Sequence, residues 1–136
     1  MKMLNLISAV VVLGFTVSSN AAANYQFVGA DNSIDTKICL AAVTNDMHKL
    51  RHNIMRSGAG NRGVHTGARK VARTLMCNDQ IVANFAYKYE ASETFEYLDR
   101  YTPKKYQDQR PEVTIKDIVA RHGKQEETTV VLIASK

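Results

Sequence analysis

No tryptophan occurs in this chain of 136 residues, and there are only two cysteines and two prolines. The cysteines do not form a C-x-x-C pair, which excludes a thioredoxin-like redox motif. No H-E-x-x-H run is present, so metalloprotease chemistry has no support, and no glycine pattern ends in Lys followed by Ser or Thr, which excludes a P-loop. Nor is there a nucleophile with a base and an orienting group. Ser33 and Ser92 read as helix caps, and Glu90, Glu93 and Glu96 share a stretch where Lys88 and Arg100 stand at helix ion-pair spacing. A small hydrolase finds no residues to carry it, and no cofactor is expected.

A second long apolar run is missing too. The first, residues 4–17, follows Lys2 and precedes Ser18, Ser19 and the small-residue site Ala21-Ala22-Ala23. That order is the form of a secretory signal, cut after Ala23. The run falls short of the roughly 20 residues that a bilayer crossing needs. Residues 24–136 are therefore expected to form one small domain, exported to a periplasm or secreted, monomeric and without a transmembrane segment. An even cysteine count in an exported chain favours a Cys39–Cys77 bridge over two buried thiols. Such a bridge restricts the unfolded chain by roughly 3–4 kcal/mol.

Carboxylates are absent from residues 48–77, where seven cations stand: Lys49, Arg51, Arg56, Arg62, Arg69, Lys70 and Arg73. The whole chain carries +5, and +4 without the signal, so the remainder of the exported part is −3. The protein is polarised, with one cationic segment on a mildly acidic body.

Residues 25–28 alternate as a short strand does, and Asp31-Asn32-Ser33 offers capping side chains for a helix with Ile34, Ile38, Ala41 and Ala42 on one face. After Thr44-Asn45-Asp46, the stripe Met47, Leu50, Ile54 marks a second helix, stopped by Ser57-Gly58. Residues 57–67 hold four of the seven glycines and read as a mobile basic loop. Beyond it, Ala68, Val71, Ala72, Leu75 and Met76 predict a helix running to Cys77, opened by Gly67. Asn78-Asp79 then caps a helix with Ile81 and Phe85 inward, and Ser92 caps one with Phe95 and Leu98 inward, ending before Pro103. Residues 113–119 suit a strand or a helix. Residues 128–134 (TTVVLIA) read as a buried strand that joins the N-terminal one in a small sheet. The expected fold is α+β, predominantly α: two helical hairpins stapled by one disulfide, with short N- and C-terminal strands.

Phe27-Val28 before Asp31-Asn32-Ser33-Ile34, Cys39 with Ala41-Ala42 and Asn45, Leu75, Cys77-Asn78, Ala83-Asn84-Phe85-Ala86, and Leu98 before Tyr101-Thr102 together carry a resemblance. Over residues 25–102 the chain resembles a family of small exported bacterial proteins known only as a domain of unknown function. The resemblance implies an exported, disulfide-bonded domain and nothing catalytic. Against that pattern the glycine loop looks like an elaboration and residues 103–136 an extension.

Three surfaces could carry function. Gly58-Ala59-Gly60-Asn61-Arg62-Gly63 matches G-x-G-x-x-G by letter, but it follows a helix, whereas a dinucleotide site needs a buried strand there. Phosphate-like anions remain a fit, since Gly67 opens a helix beginning with Arg69 and Lys70. Arg62, Arg69, Lys70 and Arg73 are the candidate contacts for an anionic polymer or an envelope surface. With no aromatic residue in the loop for base stacking, nucleic-acid binding there would be unspecific. The alternative is a metal-binding protein: His48 and His52 stand four apart on the polar face of their helix, and His65 could supply a third nitrogen to copper or zinc. Finally, Tyr87, Tyr89, Tyr97, Tyr101 and Tyr106 read as half-buried core tyrosines or as a protein or glycan contact.

Overall fold

The computed structural model describes residues 25–110 and 128–136. The expected signal and the segment 113–119 lie outside the described residues.

Strand β1 (Tyr25–Gly29) leads into helix α1 (Ile34–Val43), whose N-cap Ser33 accepts a hydrogen bond from the Thr36 amide at 3.1 Å. Helix α2 (Met47–Arg56) starts at Asp46, which caps the Lys49 amide at 2.9 Å. The turn between them is closed by Asn45 in the left-handed region, at φ 56°. These elements stand where the apolar spacing and the capping side chains place them.

Helix α3 (Val64–Thr74) departs from expectation at both ends. It begins earlier, at Val64 after the N-cap Gly63, with Gly67 inside it, and it stops at Thr74 rather than at Cys77. Met76–Cys77 (β2) and Gln80–Ile81 (β3) pair antiparallel, and Asn78 and Asp79, both with positive φ, form their turn instead of capping a helix. Helix α4 (Val82–Lys88) follows directly.

Helix α5 (Ser92–Asp99) is not capped by Ser92. Asn45, far away in sequence, accepts hydrogen bonds from the amides of Glu93 (2.9 Å) and Thr94 (3.1 Å), so the α1–α2 turn caps the fifth helix. A short α6 (Lys104–Gln107) comes after Pro103.

Strand β4 (Thr129–Ile133) pairs in parallel with β1, Phe27 opposite Val131 and Gly29 opposite Ile133. The sheet uniting the two ends is present, but β4 is not buried. Only Ile133 is fully buried, with Val131 packing half-buried against the core, while Val130 and Leu132 are each 61% exposed on the outer face. The inner face packs on aromatic rings, with Phe27 5.0 Å and Tyr25 5.1 Å from Tyr89, which in turn meets Phe85 at 5.2 Å. After β4 the chain lies against the β2–β3 turn. There the Asn78 side chain donates to the Leu132 carbonyl (2.9 Å) and accepts from the Ala134 amide (2.8 Å).

The described residues are predominantly helical, with one disulfide, Cys39–Cys77, completely buried between α1 and β2. Ile38, Leu50, Ile54, Phe85 and Leu98 fill the core around it.

Candidate functional site

Helices α2 and α3 carry the cationic segment. Leu50 and Ile54 are the buried residues of α2, leaving His48, Lys49, Arg51, His52, Met55 and Arg56 exposed. Helix α3 buries Gly67, Ala68, Val71 and Ala72 and exposes Arg69, Lys70 and Arg73.

Small residues set how closely the two helices approach. A Cβ on Gly67 would lie 2.5 Å from Ile54 Cγ2 and 2.9 Å from the Gly60 backbone, and one on Gly60 would lie 2.7 Å from Met55 Cα. The connecting segment is correspondingly folded back: Gly60 is buried, its carbonyl accepts from the Gly63 amide at 2.8 Å, and Ser57 Oγ accepts from the Ala59 amide. Of the four glycines, Gly60 and Gly67 bring backbone into close approach while Gly58 and Gly63 face open space at positive φ, and the expected loop is shortened to residues 57–63, with 64–67 given over to helix.

This placement alters the anion site. Gly67 does not open the helix, so Arg69 and Lys70 stand in its second turn rather than beside its first amides, and a cradle of helix amides plus those cations is not formed. The cations themselves remain outward. Among the described residues the recorded salt bridges are Lys49–Asp46 at 2.9 Å, Arg110–Asp99 and Lys136–Asp79 at 2.7 Å. Arg62, Arg69, Lys70 and Arg73 take part in none of them and are exposed. Lys88 and Arg100 likewise make no ion pair among the described residues; Lys88 sits over the Tyr89 ring at 5.5 Å.

Arg51 is held differently, its guanidinium 5.0 Å over the ring of Tyr97. Tyr97 is buried, its hydroxyl has no hydrogen-bond partner among the described residues, and burial pushes its pKa up. Burial raises Tyr89 in the same way. Tyr101 is half-buried and its hydroxyl meets His65 Nδ1 at 2.8 Å. The tyrosines thus pack within the fold, as half-buried core residues do.

His48 and His52 line one open groove of about 700 Å³ with Met47, Arg51, Met55 and Val64. His65 is not among its lining residues. Among the described residues no group of three or more His, Cys, Asp or Glu stands close enough to hold a metal ion, so the three histidines do not gather into one site. Met47, on the apolar stripe of α2, packs partly buried against the core as expected and also edges the groove, whereas Met55, to which the apolar stripe assigns no role, is 48% exposed on it. The signal for them was present as M-H-x-x-x-H-x-x-M over residues 47–55.

No helix among the described residues is long and apolar enough to cross a membrane. No curated protein and no solved structure matches the chain. One family model does, over residues 38–120, a stretch that includes both cysteines and the whole α2–α3 surface. By that match the chain belongs to the DUF3718 family, proteins of unknown function.

Proposed function

We propose that this is an exported, disulfide-stapled, non-catalytic binding module whose α2–α3 face contacts an anionic partner, either a polymer or an envelope surface. One observation carries the reading: Arg62, Arg69, Lys70 and Arg73 stand exposed in a segment without carboxylates, and none joins a salt bridge among the described residues. A surface of one sign attracts a polyanion by releasing its counterions, and affinity then falls with salt. Export is supported by the signal-like residues 1–23 and by the buried disulfide, which persists in oxidising compartments. It predicts an N-terminus at Asn24 in the product recovered outside the cytoplasm.

The test is binding to a single-stranded polynucleotide across a salt series. Three or four contacts predict a log–log slope of about −2 to −3. Reversing Arg69, Lys70 and Arg73 to Glu should abolish binding. A flat salt dependence, or binding that survives the reversal, sinks the proposal.

A second reading is favoured by the groove. His48 and His52 face it one helical turn apart, a spacing at which two imidazoles can hold one metal ion. Here His48→Ala should remove metal uptake and leave polyanion binding unchanged.

A further inference from the structure

The α2 groove has a donor set that discriminates between metals. His48, His52 and Met55 fall at i, i+4 and i+7 along one stripe of α2, and Met47 flanks them at the start of the helix. Residues three or four apart on a helix have Cβ atoms about 5–6 Å from each other, so His48–His52 and His52–Met55 are neighbouring pairs, with His52 as the shared middle donor; Met47 stands to one side of the stripe. Two imidazole nitrogens with one or two thioether sulfurs make a soft set, of the kind that selects Cu(I).

Charge points the same way. No carboxylate lines the groove and α2 itself contains none; its N-cap Asp46 is paired with Lys49. Arg51 stands in the groove, its guanidinium drawn over Tyr97. Coulomb repulsion scales with ionic charge, so a monovalent ion meets half the opposition that Zn(II) or Cu(II) would meet beside this cation. Mg(II), Ca(II) and Mn(II) prefer carboxylates and other oxygen donors, which the lining side chains do not provide; Zn(II) and Cu(II) accept imidazole, so against them the thioether and the charge decide. Met55 places its thioether, 48% exposed, on the same outward stripe as the two imidazoles.

We infer that the groove lined by Met47, His48, His52 and Met55 is a binding site for a soft monovalent metal ion, Cu(I) or its analogue Ag(I). The inference rests on the histidine-pair reading and narrows it. It is independent of the anion-binding face, whose cations lie outside the donor set.

The experiment is anaerobic titration of the full-length protein, disulfide intact, with Cu(I) held by a chromophoric chelator and ascorbate as reductant, alongside Zn(II) under the same conditions. The expected result is withdrawal of one Cu(I) per chain. Met55→Leu should weaken this tenfold or more, Met47→Leu with Met55→Leu should weaken it further, and His48→Ala with His52→Ala should abolish it. Met55, His48 and His52 are exposed, and Leu for Met conserves volume, so the fold should persist in every variant. An unchanged urea unfolding midpoint in each variant confirms that it does. If Zn(II) binds through the histidines and the Met→Leu variants leave Cu(I) affinity unchanged, the pair is a metal site and the soft-ion inference is overturned. If neither ion binds, the inference and the histidine reading fail together.

Discussion

Helices α1 and α2 are both ten residues long and belong to one hairpin, yet they use their side chains in opposite ways. Helix α1 buries Thr36, Ile38, Cys39, Ala41, Ala42 and Val43, including half of the disulfide. Helix α2 buries only Leu50 and Ile54 and turns its histidines, cations and Met55 outward. Losing a side chain from α1 should therefore cost folding, whereas losing an outward one from α2 should cost binding. Surface substitutions away from caps and core usually stay within about 0.5 kcal/mol. A functional role for the α2–α3 face thus predicts variants that lose a ligand without losing stability.

The largest stability effect should come from the α1 side. Replacing Cys39 and Cys77 with Ala together removes the constraint on a loop of sequence separation 38, worth about 3–4 kcal/mol in the chain-entropy model. For a small domain that is a large fraction of the total. Urea unfolding of the double variant measures it. A shift below about 1 kcal/mol would show that the buried bridge is not what distinguishes the two helices.

Next comes Gly67→Ala, whose sign is informative. In an open loop such a change would stabilise by about 0.4–1 kcal/mol through the unfolded chain. In the observed packing the new Cβ meets Ile54 Cγ2 at 2.5 Å and the Gly60 backbone at 2.9 Å, pushing α3 away from α2. Overpacking of this kind costs about 1–3 kcal/mol, enough to outweigh the helix propensity gained over glycine. A stabilised variant in thermal unfolding would show that the helices are not clamped.

Those two contacts also mark what could be read from the chain. Strand β1, helices α1 and α2, strand β4 and the cysteine bridge follow from local spacing, caps and cysteine count. Each depends on residues within a few positions of one another or on a pairing with no competitor. The misreadings arose where one residue type serves two purposes. Asn78-Asp79 suits a helix cap and a left-handed turn equally, and the β2–β3 pairing with the C-terminal segment selects the turn. Gly67 reads as the end of a glycine loop that opens a helix, yet it lies within α3, where only a residue without a side chain fits against Ile54. The cations of the candidate site were legible as a charge run. The groove was legible only in part: the pattern M-H-x-x-x-H-x-x-M places Met55 on the histidine stripe, but the sequence alone does not say that this stripe stays open to solvent, and Met47 serves the core as well as the groove.

Asn45 links the hairpin to α5 and supplies a smaller effect. Asn45→Ala removes the acceptor for two amides at the start of α5 and places alanine at φ 56°, so about 1–2 kcal/mol should be lost. Asn45→Gly keeps the backbone conformation and loses only the cap. A smaller loss for Gly than for Ala in denaturant melts would separate the two contributions, and equal losses would assign the whole effect to the cap.

The smallest effect tests whether the two helices differ at their starts as they do along their faces. Hydrogen bonds from Ser33, hydroxyl first and amide second, hold the Asp31 carboxyl below the usual carboxylate range ahead of α1. The Lys49 amide, and then its ammonium, does the same for Asp46 at α2. A carboxyl whose pKa is lower in the folded than in the unfolded chain contributes stability above the unfolded value, about 3.9, and loses it as pH falls through the folded one. Both helices should therefore weaken together in acid, despite their different burial. Asp46→Asn keeps a side-chain oxygen to cap the Lys49 amide and removes the charge, so its unfolding midpoint should fall less steeply between about pH 6 and pH 3 than that of the parent. Asp31→Asn should flatten the remainder. If neither substitution changes the acid dependence, the helix starts are not where these two carboxylates act, and the contrast between α1 and α2 reduces to the burial of their side chains.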